Sequence, residues 1–127
     1  MSTLLDTHAF IWFLNGDSEM SEKLKAIIAD GSNKCYLSIA SIWEIAIKIS
    51  INKLRIKGEF NQITEFLAEN DIAILPINFG HILRLIQLPY HHRDPFDRII
   101  AAQALTESMS VGTKDNIIEK YGVKVIW

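Results

Sequence analysis

Short apolar runs rich in β-branched and aromatic residues alternate with longer segments along this chain of 127 residues. Runs of the first kind are typical of strands, and apolar residues spaced three and four apart are typical of helices. The pattern predicts strands at Leu4–Leu5, Cys35–Ile39, Ile72–Ile77, Ser110–Thr113 and Val123–Trp127. It predicts helices over Ser21–Asp30, Ile39–Lys53, Glu59–Asn70, Phe79–Gln87 and Pro95–Ser108.

Alternation of strands with helices favours an α/β fold, with a central parallel sheet of about five short strands covered by helices on both faces. The chain has the usual length of one domain, and no repeat, low-complexity tract or long linker interrupts it. We therefore expect residues 1–127 to form a single domain.

Composition narrows the possible functions. Hydrophobic residues make up 49% of the chain, which is typical of a globular domain. The formal net charge is −2, so the binding of a polyanionic ligand would require local positive charge or a metal ion. Cys35 is the only cysteine, which rules out an internal disulfide and a thiolate metal cage. Because no basic leader and no apolar run of roughly 18 residues is present, we expect a cytoplasmic protein without membrane partners.

Acidic side chains stand where predicted strands end or helices begin. Asp6 follows the first strand and Asp115 follows the fourth, while Asp94 and Asp97 open the last helix. Glu44 lies among apolar residues of the second helix. Ligand crevices in open α/β sheets lie at the carboxyl ends of the strands, so we expect these carboxylates to converge there.

Converging carboxylates repel one another unless they are protonated or neutralised by a cation. An oxygen-only ligand set suits magnesium or manganese rather than zinc. A divalent ion held in this way can deprotonate water, orient a phosphodiester and stabilise the attacking and leaving oxygens. The residues therefore predict hydrolysis of phosphodiester bonds.

Each acid also has a purely structural interpretation. Asp94 could cap the last helix, and Asp97 could only interact favourably with the dipole of that helix. Glu44 could belong to a capping box. Asp6 and Asp115 could make side-chain turns in loops.

Basic residues near the acids are candidates for contact with RNA phosphate, although solvated charge alone would explain each of them. They are Lys48, Arg93, Arg98 and Lys114.

Aromatic and histidine side chains are expected to have structural roles. Trp12, Trp43 and Trp127 lie in apolar segments and are predicted to be in the core rather than to stack on bases. His8 is expected at a helix start beside the site, and His91–His92 in a solvated loop, so none of them is assigned as a ligand.

Five blocks of the sequence have a joint order and spacing that is more specific than any one block. They are Leu4–His8, Ser41–Lys48, His92–Ala104, Thr113–Asp115 and Tyr121–Trp127. Together they span the chain and resemble the PIN-domain family, in particular its VapC-type branch, the toxins of bacterial type II toxin–antitoxin pairs.

The resemblance implies a three-layer α/β/α sandwich and an endoribonuclease that uses Mg²⁺ or Mn²⁺ and metal-activated water in an acidic pocket. Asp6, Glu44 and Asp97 match the family's three core acidic positions. Asp115 matches the fourth, more variable one, and Thr113 the hydroxyl that supports the site.

The same resemblance implies an RNA substrate, a small cognate antitoxin whose tail blocks the cleft, and a homodimer. Apolar residues over residues 59–87 could serve either the core or an interface. Asp94 supports the site as a cap or a further ligand. Gly112 departs from the family, which more often has an apolar residue before the threonine.

Two other functions share these features. A receiver-like phosphoacceptor module also has acids, a hydroxyl and a lysine at strand ends. Its phosphoacceptor should follow a central strand, whereas Cys35–Ile39 leads into Ser41 and Ile72–Ile77 into Asn78. A catalytically inactive RNA-binding PIN domain is the second alternative, and the full set of acids argues against it.

Overall fold

The computed structural model describes residues 1–127 and contains one parallel sheet. Its strands are β1 (Ser2–Leu5), β2 (Lys34–Ser38), β3 (Ile72–Leu75), β4 (Ser110–Gly112) and β5 (Val125–Ile126). They lie in the order β3-β2-β1-β4-β5, so the first strand of the chain is central. The predicted α/β fold with five short parallel strands is confirmed.

Six α-helices and two 3-10 helices connect the strands. The α-helices are α1 (Thr7–Asn15), α2 (Glu22–Ala29), α3 (Ile39–Ser50), α4 (Ile63–Glu69), α5 (Phe79–Gln87) and α6 (Pro95–Glu107). The 3-10 helices span Phe60–Gln62 and Asn116–Tyr121. The five predicted helices are present with small shifts at their ends, and none of the helices has the length and apolar character needed to cross a membrane.

Helix α1 and the 3-10 helix Asn116–Tyr121 were not predicted. In α1 the apolar residues form an almost unbroken run, so the sequence carries no amphipathic period there. Its ends are set locally, because Asp6 caps its start and Gly16, with a φ of 64°, adopts the left-handed conformation at its end.

Side chains from the two faces of the sheet enter two separate cores. Leu5 points to one face, where it joins Phe10 of α1 and Leu24 of α2. Leu4 points to the other face and joins Ile100 of α6 and Val111 of β4. This arrangement is the expected three-layer α/β/α sandwich.

Gly112, the departure from the family pattern, lies in β4 against Leu24 of α2. A Cβ atom at this position would stand 2.8 Å from Leu24 Cδ2 and 3.3 Å from Leu5 Cδ2. Both leucines are fully buried. Leu24 therefore occupies the space that a larger residue at position 112 would need.

Substitution of Gly112 by alanine is expected to lower the free energy of unfolding by about 1–3 kcal/mol, because it overpacks this contact. Urea denaturation measures the change. Gly31→Ala is the control, since no atom lies within 4 Å of a Cβ built there, and its effect should stay within about 0.5 kcal/mol. Equal stability of the two variants would show that Leu24 can move aside.

Candidate active site

Asp6 leaves the sheet at the end of β1 and caps α1. Its Oδ1 accepts a hydrogen bond from the Ala9 backbone N–H at 2.7 Å, and its Oδ2 accepts one from the Thr113 hydroxyl. The Thr113 oxygen in turn accepts a hydrogen bond from the Asp115 backbone N–H at 2.9 Å. Asp6 is 7% exposed and Thr113 is fully buried. The hydroxyl thus joins the exits of the neighbouring strands β1 and β4.

Glu44 lies in α3, the helix that follows β2. In the sheet, β2 and β4 lie on opposite sides of β1. Because α3 begins at Ile39, Glu44 lies in the second turn, and the capping-box interpretation is wrong. The Thr7 hydroxyl donates to Ser41 Oγ at 2.9 Å and so ties α1 to α3 inside the protein. Glu44 is buried, and its Oε2 lies 2.9 Å from Lys48 Nζ.

Asp94 and Asp97 have different environments at the start of α6. Asp94 Oδ1 accepts hydrogen bonds from the backbone N–H groups of Phe96 at 2.8 Å and Asp97 at 3.3 Å, ahead of Pro95 in the first turn. Asp94 is therefore the helix cap that the sequence allowed. The side chain of Asp97 takes no part in the cap.

Asp115 is joined to Asp97 by a histidine. Asp115 Oδ1 accepts the Ile117 backbone N–H at 2.9 Å, and its Oδ2 forms a hydrogen bond with His92 Nε2 at 3.0 Å. The same Nε2 lies 3.0 Å from Asp97 Oδ2. The expectation that His92 lies in a solvated loop outside the site is wrong. The segment around it has no periodic pattern from which its position could be read.

Burial and the neighbouring acids both act on the pKa of Asp97. Burial, together with the negative charges of Asp94, Asp6 and Glu44, raises the pKa of Asp97 to about 7, although His92 opposes the shift. Burial likewise raises the pKa of Asp6 above its usual range. The carboxylates predicted from three different segments thus lie close enough to act on one another.

These acids could hold a divalent cation. The nearest ligand atoms of His92, Asp97 and Asp115 lie within 4.8 Å of one another, and the negative charge of Asp115 also acts on Asp6. Carboxylate oxygens are the ligands that magnesium and manganese accept in proteins. A bound cation would favour the ionised form of Asp97 and so offset the burial and the repulsion that now raise its pKa.

The raised pKa of Asp97 makes the stability of the metal-free protein depend on pH. Between an unfolded pKa near 3.8 and a folded pKa of about 7, the folded state binds the proton more tightly. Stability is therefore highest at the acidic end of this window and falls as the pH rises to 7, by an amount on the order of a few kcal/mol.

Thermal unfolding in chelator between pH 5 and 8 measures this effect. We expect the melting temperature to fall with rising pH, and the slope to be smaller in Asp97→Asn. Saturating Mg²⁺ should remove the slope, since the ion favours the ionised carboxylates. A melting temperature that rises over this range in chelator would contradict the arrangement.

Three of the four basic residues proposed to contact RNA have accessible charges. Lys48 has a side chain that is 34% exposed, and Arg93 is exposed in the loop before α6. Lys114 Nζ lies 2.8 Å from Glu19 Oε2 on the surface. Their contact with phosphate stays a prediction.

Arg98 does not fit the predicted contact with phosphate. It is 6% exposed, and its guanidinium donates to the backbone carbonyls of Pro89 at 2.9 Å, Leu85 at 3.3 Å and Leu88 at 3.4 Å. It also donates to the Tyr121 hydroxyl at 3.4 Å. Because the protein itself occupies these donors, Arg98 acts on the fold of the loop after α5 rather than on RNA.

Trp43 also differs from its prediction. Its side chain is 62% exposed and packs edge-on against Phe96, with ring centroids 5.3 Å apart, so its expected place in the core is wrong. Trp12 and Trp127 pack against each other at 5.7 Å and against the core.

The fold and the site together define the class of this protein. It is a parallel α/β/α domain whose acidic pocket, at the carboxyl ends of the strands, is suited to a divalent cation. A profile of the PIN domain family matches residues 3–124. The chain therefore belongs to the PIN domain family. A comparison with curated proteins gave no match.

Several solved structures share the fold over almost the whole chain. VapBC2 from Rickettsia felis, bound to a DNA fragment from its promoter, is 15% identical, with 100% of this chain and 99% of that chain covered and a TM-score of 0.75. VapBC-1 from nontypeable Haemophilus influenzae is 16% identical, with coverage of 99% and 97% and a TM-score of 0.70. A toxin–antitoxin complex from Klebsiella pneumoniae is 17% identical, with coverage of 98% and 96% and a TM-score of 0.63.

The strand order also corrects one argument about a receiver-like phosphoacceptor. Asp6 follows the central strand β1, so its placement does not count against that function as the sequence suggested. Membership of the PIN domain family now favours the nuclease instead.

Proposed function

We propose that this protein is a magnesium- or manganese-dependent endoribonuclease and the VapC-type toxin of a type II toxin–antitoxin pair, with residues 1–127 as one PIN domain. The observation that carries the proposal is the cluster of Asp6, Glu44 and Asp97, where burial and neighbouring charge raise the pKa of Asp97 to about 7. Such a cluster costs stability in the absence of a cation, so its presence is best explained by function.

In this proposal Asp6, Glu44, Asp97 and Asp115 hold the metal ion. The ion, when bound, supplies activation of water and stabilisation of charge on the phosphodiester. Thr113 fixes the orientation of Asp6 through its hydroxyl. Asp94 supports the site by capping α6.

Basic side chains at the rim of the pocket complete the RNA site. Lys48, Arg93 and Lys114 carry positive charges that can meet the phosphates on either side of the cleaved bond. Lys48 is in direct contact with one of the acids, since its Nζ lies 2.9 Å from Glu44 Oε2.

A cognate antitoxin is the second proposed partner. The proposal is supported by the similarity in fold to VapBC complexes and to a toxin–antitoxin complex. Both the RNA substrate and the antitoxin would be met in the cytoplasm, which is the proposed location.

A homodimer is supported by exposed apolar side chains along α3 and α5. They are Ile39, Trp43, Ile47 and Ile51 at α3, and Phe79, Leu83 and Ile86 on α5. Sedimentation of the isolated protein measures the state, and a monomer at micromolar concentration would contradict this part of the proposal.

Incubation of the purified protein with a circular RNA tests the nuclease directly, because only an endonuclease can open a circle. Cleavage is expected with Mg²⁺ or Mn²⁺ and none with chelator, and Glu44→Gln prepared in parallel should be inactive and so exclude a contaminating nuclease. Full cleavage in chelator would reject the metal mechanism.

Expression in a bacterial host tests the toxin assignment separately. Growth arrest is expected, with relief by a small protein encoded next to this one. Normal growth of a host whose RNA the purified protein cleaves would reject the toxin role and leave the nuclease in place.

A further inference from the structure

His92 is the one histidine that contacts the acids of the site. Its Nε2 forms a hydrogen bond with Asp115 Oδ2 at 3.0 Å and lies 3.0 Å from Asp97 Oδ2. The two carboxylates come from different elements, α6 and the start of the 3-10 helix after β4. The imidazole therefore lies between two carboxylates of the pocket that come from different elements.

The other ring nitrogen identifies the tautomer. His92 Nδ1 accepts a hydrogen bond from the Asp94 backbone N–H at 3.2 Å, so Nδ1 carries no proton. A neutral imidazole then bears its proton on Nε2, which faces the two carboxylates. In this state Nε2 is a hydrogen-bond donor and has no lone pair to offer to a metal ion.

The loop that carries His92 is itself anchored. The His92 backbone N–H donates to the Tyr121 hydroxyl at 2.8 Å, and the guanidinium of Arg98 donates to the Pro89 carbonyl at 2.9 Å. The side chain of His92 is 18% exposed, which restricts its freedom further. The ring is thus fixed at both nitrogens and at its backbone before any ligand arrives.

We propose that His92 is a positioning residue, whose Nε2–H holds the Asp115 carboxylate beside that of Asp97, and that it is not itself a metal ligand. This inference rests on the proposed function, since it assigns a role within the same acidic pocket. Asp115 is the most exposed of the four acids, with a side chain 35% exposed, so it is the one that most needs such a constraint. Hydrogen-bonding partners of metal ligands typically change metal affinity by about 10–100-fold when they are removed.

Binding of Mn²⁺ alone, measured by calorimetry, tests the proposal without reference to cleavage. His92→Leu, which removes the donor, is expected to weaken Mn²⁺ binding about 10–100-fold. His92→Gln places an amide N–H near the same position and should keep the affinity within about threefold of the wild-type protein. His91→Gln, at the exposed neighbouring position, is the matched control and should bind as the wild type does.

Two spectroscopic measurements on the wild-type protein need no variant to fold. Long-range ¹H–¹⁵N spectra of the Mg²⁺-loaded protein should show His92 with a protonated Nε2 and a bare Nδ1. Electron spin echo spectra of the Mn²⁺-loaded protein should show no coupling to a directly bound histidine nitrogen.

Each other result overturns the inference. A histidine nitrogen coupled to Mn²⁺ would show that His92 is a ligand, and a proton on Nδ1 with a bare Nε2 would show that the ring cannot donate to the carboxylates. Unchanged affinity in His92→Leu, or an equal loss in His92→Leu and His92→Gln, would remove the role of the N–H donor. Failure of the proposed function would look different. In that case the wild-type protein would bind Mn²⁺ no more tightly than Asp97→Asn does.

Discussion

Replacement of Asp97 by asparagine is expected to lower RNA cleavage by about 100-fold or more while the protein stays folded. The substitution keeps the shape of the side chain and removes an anionic oxygen from the centre of the acidic cluster, where Asp94, Asp6 and Glu44 all act on it. Without metal the variant should be more stable than the wild type near neutral pH, because one repelling charge is gone. Cleavage rates at saturating Mg²⁺ and melting temperatures in chelator measure the two effects.

Asp94 provides the control for this result, since it lies in the same helix start but serves as its cap. Asparagine caps a helix nearly as well as aspartate, so Asp94→Asn should retain both stability and a large part of the activity. Asp94→Ala should lose about 0.5–2 kcal/mol of stability. If Asp94→Asn stops cleavage as completely as Asp97→Asn, then Asp94 is a metal ligand and the two acids share one role.

Substitution of Arg98 by alanine is expected to destabilise the protein by about 3 kcal/mol or more. The buried guanidinium donates to the carbonyls of Leu85, Leu88 and Pro89 and to the Tyr121 hydroxyl, and alanine would remove these four hydrogen bonds together with the packing of the side chain. Lysine cannot replace the planar fork of donors, so Arg98→Lys should recover little of the stability.

The loop before α6 is positioned by the same contacts, and its loss of order in Arg98→Ala should also lower activity. Arg93→Ala is the control, because Arg93 is exposed and should change stability by less than about 0.5 kcal/mol. Urea denaturation and RNA-binding measurements separate the two roles. A drop in RNA affinity at unchanged stability in Arg98→Ala would restore the phosphate contact that the sequence suggested.

The architecture was predictable because its signals are local. Each strand and each amphipathic helix appears as a pattern within a few residues, and parallel strands place their carboxyl ends on one edge. That rule led us to expect that Asp6, Glu44 and Asp97 converge, and the resemblance to the PIN-domain family assigned them to one site. The bounds of α1 did not, because they depend on one cap and one left-handed glycine rather than on a period.

Features that depend on contacts between distant segments were not predictable. Arg98 and His92 lie near the acids in sequence, yet one is buried against backbone carbonyls and the other joins two carboxylates. Their roles are set by the path of the loop after α5 and by Tyr121, which hydrogen-bonds to both residues. Trp43 is exposed because it lies on the outer face of α3. Its neighbours in the sequence are apolar, so they do not show which face of the helix it occupies.

The central place of β1 has a kinetic consequence for synthesis of the protein. Asp6 leaves the ribosome well before the hydroxyl that orients it, which is 107 residues further along the chain. Thr113 is in turn held by its backbone N–H to the Ile126 carbonyl at 3.1 Å in β5. Contacts of such long range form late, because the entropy of closing a long loop must be overcome first. A growing chain on the ribosome is therefore expected to assemble the pocket only after β4 and β5 have joined the sheet.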